Sequence, residues 1–440
     1  MQCKIKEYVA IVCQQIRWKK ARQRVSDEMT AHISDARDYY IEDGLDAQAA
    51  TIKAISDTGD ALLLGANFDR IHRPKPQLGM FAAVAAFLAL GILASLLLHD
   101  GADVGRRLMF MGIGAVIMLT AYFVDFTILG KHAMSIFWGI VGVSIFITLS
   151  PRFFFHHTQI FTLLFPLVFA ICIYMLRNKG AAGIILSGVF YSILGGRAIF
   201  LLPLTGFFHF IIIGTALFVV VIIKDWFGLS KLSRILLTIF YLATLTGITI
   251  FVIAMGPQTM RFIAAFNPSS DPLGFGFAAT QIRLVLGGAA LLGEGAITTA
   301  FLPDARANLL LTSVIAYYGW IPFAVIILAL LVFIAVGFVR CFRQKSGLGF
   351  FVSFAVMATF AAQVLTYVLF NLGFTLGQIS LPLISFGNTA MVVNMGLVGI
   401  MLSVFRTGDI VTEKELLQDS DAGRFLTWEN GKLTINFNAR

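Results

Sequence analysis

Residues 309–337 read LLLTSVIAYYGWIPFAVIILALLVFIAVG, a continuous run without one charged side chain. Apolar residues follow one another on every side instead of alternating with polar ones, the pattern of a helix immersed in hydrocarbon rather than of a half-wet strand. A hydrocarbon core of about 30 Å takes roughly 20 helical residues, so the stretch is long enough to cross. Nine further candidate spans lie near 80–98, 108–129, 133–150, 159–176, 181–195, 199–223, 234–255, 348–370 and 388–405. The one at 181–195 is short and broken by Gly183, Gly188 and Gly195. Long continuous runs exclude a barrel, whose strands alternate. The expected fold class is an all-α polytopic membrane protein with about ten transmembrane helices.

The bulk composition agrees. Of 440 residues, 58% are hydrophobic and 13% charged, against about 25% charged in a soluble protein; a soluble enzyme is excluded. The net charge of +9 comes from residues 81–405, with 16 Lys/Arg against 7 Asp/Glu, while residues 1–80 nearly balance at 12 against 11. No basic patch remains for a nucleic acid; the excess sets topology and meets lipid headgroups. Starting from a cytoplasmic N-terminus, short inner loops collect Lys131, Arg177, Lys179, Lys224, Lys231, Arg234, Arg340, Arg343 and Lys345. Both termini are therefore expected in the cytoplasm of a bacterial cell, with the chain crossing the cytoplasmic membrane many times. Cys3, Cys13, Cys172 and Cys341 form no CxxC or Cys/His spacing, so neither a disulfide framework nor a zinc site is expected. The first long apolar run begins near Met80, beyond a signal-peptide window, so that span should itself act as the insertion signal.

Residues 1–76 read as a small cytoplasmic helical domain. Ile5, Val9, Val12, Cys13 and Ile16 recur at helical spacing. A second helix is expected from Ser26 as cap, a third from Asp46 through Ile52 and Ile55, and a fourth from Gly59-Asp60 to Arg70, before the stiff segment Ile71–Pro76. This arrangement, from Gly44-Leu45-Asp46-Ala47 to Ile71-His72-Arg73-Pro74, resembles the permease prefix domain, a likeness that implies no chemistry. At the other end, residues 406–440 form a cytoplasmic tail. Asn430-Gly431 between alternating apolar residues predicts a β-hairpin over 425–437.

The largest polar insertion in the 80–405 transmembrane domain is the outer loop 256–308, with Arg261, Asp271, Arg283, Glu294, Asp304 and Arg306 and a glycine-rich stretch from Gly287 to Gly295. Leu284, Val285, Leu286, Leu291 and Leu292 make it apolar enough to fold back on the bilayer. No strand precedes the glycines and no GK[ST] follows, so this is not a phosphate-binding loop. Adjacent His156 and His157 point to different helix faces and read as a chance pair, with no metal site. His209, among Phe207, Phe208 and Phe210, reads as a hydrogen-bonded packing residue, and Asp125, beside Gly130-Lys131-His132, as a satisfied interfacial carboxylate.

From Arg261 to Gly399 the sequence resembles the second half of the SEDS family (shape, elongation, division and sporulation; FtsW/RodA/SpoVE). Arg261, Asn267-Pro268, Asp271-Pro272-Leu273-Gly274-Phe275-Gly276, Gln281, the glycines 287, 293 and 295, and Leu302-Pro303-Asp304-Ala305 follow the family's outer-loop order. Gln363 and Leu381-Pro382-Leu383-Ile384-Ser385-Phe386-Gly387 resemble its later signature. The resemblance implies peptidoglycan polymerisation: a sugar hydroxyl of lipid II attacks an anomeric carbon and undecaprenyl pyrophosphate leaves, beside a class B penicillin-binding protein. Such chemistry needs an outer-face carboxylate to take the proton and cations for the pyrophosphate. Arg261, Gln281, Arg306 and Ser385 are the substrate-binding candidates it suggests.

The departures bear on catalysis. The family pattern places a Thr-Asp step after the Leu-Pro step, its Asp being the proposed catalytic carboxylate; the same register here is Ala307-Asn308. An amide cannot act as a general base, and Asp304, four residues earlier, is the alternative acid. Ala316 and Tyr317 stand where the family has paired glutamates. Three readings follow: a divergent SEDS-like scaffold for cell-wall assembly with weak or lost polymerase activity, an active glycosyltransferase using another acid such as Asp304, and a flippase for a lipid-linked precursor. The partners implied are lipid II or a similar undecaprenyl-linked substrate, membrane lipids and a class B penicillin-binding protein, with no nucleic acid. No cofactor is implied, and a divalent cation at the pyrophosphate stays open.

Overall fold

The structure is a computed structural model that describes residues 2–99, 104–149, 158–200, 205–254, 257–297, 308–385, 387–408, 410, 426–429 and 432–435. The chain separates into two compact units, Met1–Pro76 and Gln77–Arg440.

The first unit has four helices: α1 (Gln2–Gln15), α2 (Lys19–Glu42), α3 (Ala47–Thr58) and α4 (Ala61–His72). Ile5, Val9, Val12 and Ile16 meet Ala21, Val25, Met29 and Ile33 in a buried core. The second stripe repeats every four residues, one face of a helix, and it starts upstream of Ser26. The expectation of a cap at Ser26 is thereby corrected: α2 begins at Lys19 and Ser26 lies inside it. Asp46 and Asp60 do cap their helices, accepting from Gln48 N at 3.2 Å and Leu62 N at 2.7 Å. On α3, Ala50, Thr51 and Ala54 face inward, while Ile52 is exposed.

In the second unit, α5 (Leu78–His99) and α6 (Val104–Phe123) lead through the short α7 (Thr127–Lys131) to α8 (Ala133–Leu149) and α9 (Phe165–Met175). Then come α10 (Gly180–Phe200), α11 (Thr205–Ile223) and α12 (Lys231–Ala254). The outer insertion holds α13 (Pro257–Phe266) and α14 (Phe277–Gly287). The unit continues with α15 (Leu310–Tyr318), α16 (Trp320–Phe342), α17 (Gly347–Asn371) and α18 (Asn388–Thr407). Among the described residues eight helices are long and apolar enough to cross a membrane; α8 and the segment Thr162–Met175 are shorter apolar helices at the other two expected spans. The protein is an all-α polytopic membrane protein.

α17, α18 and α11 are the most enclosed of the spans, and α12 is almost wholly exposed. In lipid, apolar burial gives little drive between helices, so small residues and polar pairs hold them together. Gln363 and Asn394, both fully buried, exchange two amide hydrogen bonds of 3.0 and 3.1 Å between α17 and α18. α18 also lies close along α6, where a Cβ on Gly399 would come 2.9 Å from Ala121 Cβ. His209 on α11 is buried with Nε2 2.8 Å from Thr366 Oγ1, and Asp125 accepts from Thr127 N at 2.9 Å.

The run 309–337 departs from the single span expected. It is two helices, because Gly319 (φ 92°) breaks it. The glycine-rich stretch of the outer loop runs beside the break: Gly293 N and Gly295 N donate to Tyr318 O and Ala316 O, and Trp320 N and Ile321 N donate to Ala290 O and Leu291 O. These bonds satisfy the last carbonyls of α15 and the first amides of α16, which a helix end otherwise leaves open. In the tail, β1 (Leu426–Glu429) and β2 (Lys432–Ile435) pair antiparallel with Glu429 opposite Lys432; the turn at Asn430-Gly431 lies outside the described residues.

Candidate functional site

The start of α11, the end of α12, α13, the first turn of α14 and the end of α17 surround a cavity of about 290 Å³, closed by residues 375–378 of the loop after α17. Arg261 of α13 lines it, its guanidinium 5.0 Å from the Phe275 ring. The Thr205 and Thr375 hydroxyls, both in its wall, are buried and have no hydrogen-bond partner among the described residues. Phe208, Phe262, Phe275, Phe370 and Leu376 supply much of its apolar lining. One guanidinium and two open hydroxyls in an aromatic surround suit an anionic group carried on an apolar arm.

Next to this cavity lies the segment that carries Asn308. Phe370 of α17 lines the cavity and also packs with Ile282, Val285 and Leu309. Its neighbour Asn371 is fully buried and donates from Nδ2 to Asn308 O and to Tyr367 O, both at 2.9 Å. Its Oδ1 accepts from Thr312 N at 2.9 Å and from Thr312 Oγ1 at 3.0 Å, and Tyr367 OH accepts from Leu310 N at 3.1 Å. The N-terminus of α15 is thus capped by another helix rather than by its own side chains, and residue 308 is held at a fixed place beside the cavity wall.

The other expected residues separate. Gln281 is half-buried on α14, one turn after Ala278 in the cavity wall. Ser385 is buried and donates to Leu381 O at 3.1 Å, its hydroxyl engaged within its own loop. Asp304, Arg306, His156 and His157 lie outside the described residues. Asp271 accepts from Gly274 N at 3.1 Å and Phe275 N at 2.8 Å and so shapes the turn that carries Phe275. Glu294 is exposed on the loop beside the α15–α16 break. Among the described residues no group of three His, Cys, Asp or Glu side chains gathers to hold a metal. The sequence reading missed Thr205 and Thr375, whose hydroxyls carry no motif. It also missed Asn371, whose signal is an amide at the end of an apolar run.

Residues 198–409 match the FtsW/RodA/SpoVE family model, described as cell cycle protein. The match covers just under half of the chain and agrees with the likeness to the SEDS proteins read from its motifs; the chain is a multi-pass bacterial membrane protein. A probable peptidoglycan glycosyltransferase FtsW of Geobacter metallireducens is 28% identical over 170 residues, 37% of this chain and 44% of that protein. The peptidoglycan glycosyltransferase MrdB of Escherichia coli is 27% identical over 158 residues, 33% of this chain and 41% of that protein. The chain thus spans less than half the length of these curated relatives. Among solved structures, a chain from work on structural coordination of polymerization and crosslinking by a peptidoglycan synthase complex aligns with a TM-score of 0.57 at 18% identity, over 75% of this chain and 98% of that one. A mutant of the Thermus thermophilus rod shape determining protein RodA aligns at 0.52 and 13% identity, over 76% and 98%. These two likenesses establish a shared fold.

Proposed function

We propose that the protein serves bacterial cell-wall assembly, in division, elongation or sporulation, as a divergent SEDS member whose lipid II polymerase activity is weak or lost and which acts as a scaffold for wall enzymes. The observation that carries this is residue 308. Its backbone is held by Asn371 beside an intact cavity, yet the side chain is an amide where the family resemblance puts a carboxylate. A neutral amide has no pKa in the range of a general base, so proton removal from an attacking sugar hydroxyl falls to no group at that position. Arg261 and the cavity hydroxyls remain suited to a pyrophosphate on a polyprenyl chain, which supports retained binding of a lipid-linked substrate. A class B penicillin-binding protein is the partner this reading implies.

The test compares wild type and Asn308→Asp in lipid II polymerisation, purified in detergent with a candidate penicillin-binding partner. Glycan strands from the mutant alone are expected. Equal activity of wild type and mutant overturns the scaffold reading and favours a working transferase whose base lies elsewhere, beginning with Asp304.

A further inference from the structure

Arg107, in the first turn of α6, is the largest fully buried side chain of the described protein, 1% exposed. Its Nη2 donates to Ile384 O at 2.5 Å and its Nη1 to Ser95 Oγ at 3.4 Å, while Nε has no partner among the described residues. Among the described residues no carboxylate pairs with it. A guanidinium taken out of water is costly, and dipoles such as these offset only part of the loss. The fold nonetheless makes room for it: a Cβ on Gly91 of α5 would fall on Nη2 and lie 2.6 Å from Ile384 O.

The segment that Arg107 grips is itself under constraint. Leu383 has φ 65°, a left-handed conformation that L residues with a full side chain avoid. Leu381, Leu383 and Ile384 are each 1% exposed, so this turn is fixed from outside rather than by its own preference. The same loop, upstream, supplies residues 375–378 to the cavity wall.

We propose that Arg107 is a positioning residue for the loop 372–385: seated in the notch at Gly91, it clamps the Ile384 carbonyl, holds the strained turn at Leu383, and thereby fixes the part of that loop that walls the Arg261 cavity. The consequence for ligand binding rests on the proposed function of that cavity. The clamp itself does not, and it is tested without any ligand.

The experiment is hydrogen–deuterium exchange on the full chain in detergent, read on peptides covering 376–387, where the Ser385 amide donates to Leu381 O. Arg107→Met fills similar volume and removes the donors. Exchange over 376–387 is expected to quicken about tenfold, while α11 and α17 keep their wild-type protection. Gly91→Ala retains the charge but displaces Nη2, and the same local loss is expected; it gives the answer if Arg107→Met does not purify as a folded protein. Wild-type exchange over 376–387 in either variant overturns the proposal. So does faster exchange spread equally over α11 and α17, which would make Arg107 a general packing residue.

Discussion

Asn371 uses every hydrogen-bonding position of its side chain, two donors and two acceptor sites, and all four partners lie on α15, two residues before its start or one turn back on α17. That makes it the residue on which the placement of Asn308 depends. Replacing it with Ala removes the side-chain acceptor of the buried Thr312 N and the donor to Asn308 O, and a buried group left unsatisfied costs about 1–3 kcal/mol. The expected result is a fall of roughly 5–10 °C in the unfolding midpoint in detergent, taking about 2–4 °C per kcal/mol for a domain of this size. Asn371→Asp separates geometry from volume: it keeps the acceptors for Thr312, loses both donors and buries a charge, and should be no more stable than the Ala variant. A midpoint within 1–2 °C of wild type for Asn371→Ala would show that α15 holds its position by packing alone.

At the scale of elements, the α15–α16 break depends on one conformation. Gly319 has φ 92° and ψ −178°, a region open to glycine and closed to residues with a Cβ. A Cβ there would also lie 2.6 Å from Leu291 O and 2.7 Å from its carbonyl carbon, so the outer loop would have to leave its place against the break. Gly319→Ala is expected to cost about 3 kcal/mol or more from strain and overpacking together. Gly188→Ala, on α10 with open space around it, should leave the midpoint unchanged. Similar losses in the two variants would mean that the break tolerates another geometry. This break also marks what the sequence could and could not carry. Hydropathy located the eight described helices that are long and apolar enough to cross and the two shorter apolar ones, because length and lack of charge are local properties. It read 309–337 as one span, because Gly319 resembles any other glycine in an apolar run until its pairing with residues 290–295 is known. Asp46 and Asp60 were legible as caps, since a cap acts two or three residues away. Ser26 was a false cap, since the Ala21–Val25–Met29–Ile33 stripe settles the start of α2 through tertiary burial. At the site, Arg261 could be read as a charge in a motif. The clamp at Arg107 could not, because its partner Ile384 is 277 residues away.

For the whole molecule, the charge pattern and the contacts converge on one face of the membrane unit. Gln77, just before α5, donates to Phe405 O near the end of α18 at 3.0 Å and also meets Arg340 near the end of α16. Arg406 and Ser403 donate to Phe123 O and Val124 O at the end of α6. The start of α5 and the ends of α6, α16 and α18 therefore share one face, and it carries Lys131, Arg340, Arg343, Lys345 and Arg406. Short basic loops stay on the cytoplasmic side during insertion, so this face is expected to lie inward and the 256–308 loop outward. Single cysteines test the assignment. Glu294→Cys, exposed in the outer loop, should react with a membrane-impermeant maleimide in intact cells, whereas Lys345→Cys should react only after the membrane is opened. The native background is low at two positions, since Cys172 and Cys341 are buried. Burial also raises the Cys13 thiol above its ordinary pKa, which lowers its reactive thiolate fraction at neutral pH. Labelling of Lys345→Cys but not Glu294→Cys in intact cells would invert the topology. It would place the Arg261 cavity on the cytoplasmic side, where a polymerase acting on the outer face could not use it, and of the three sequence readings only a flippase loading its substrate from inside would still fit.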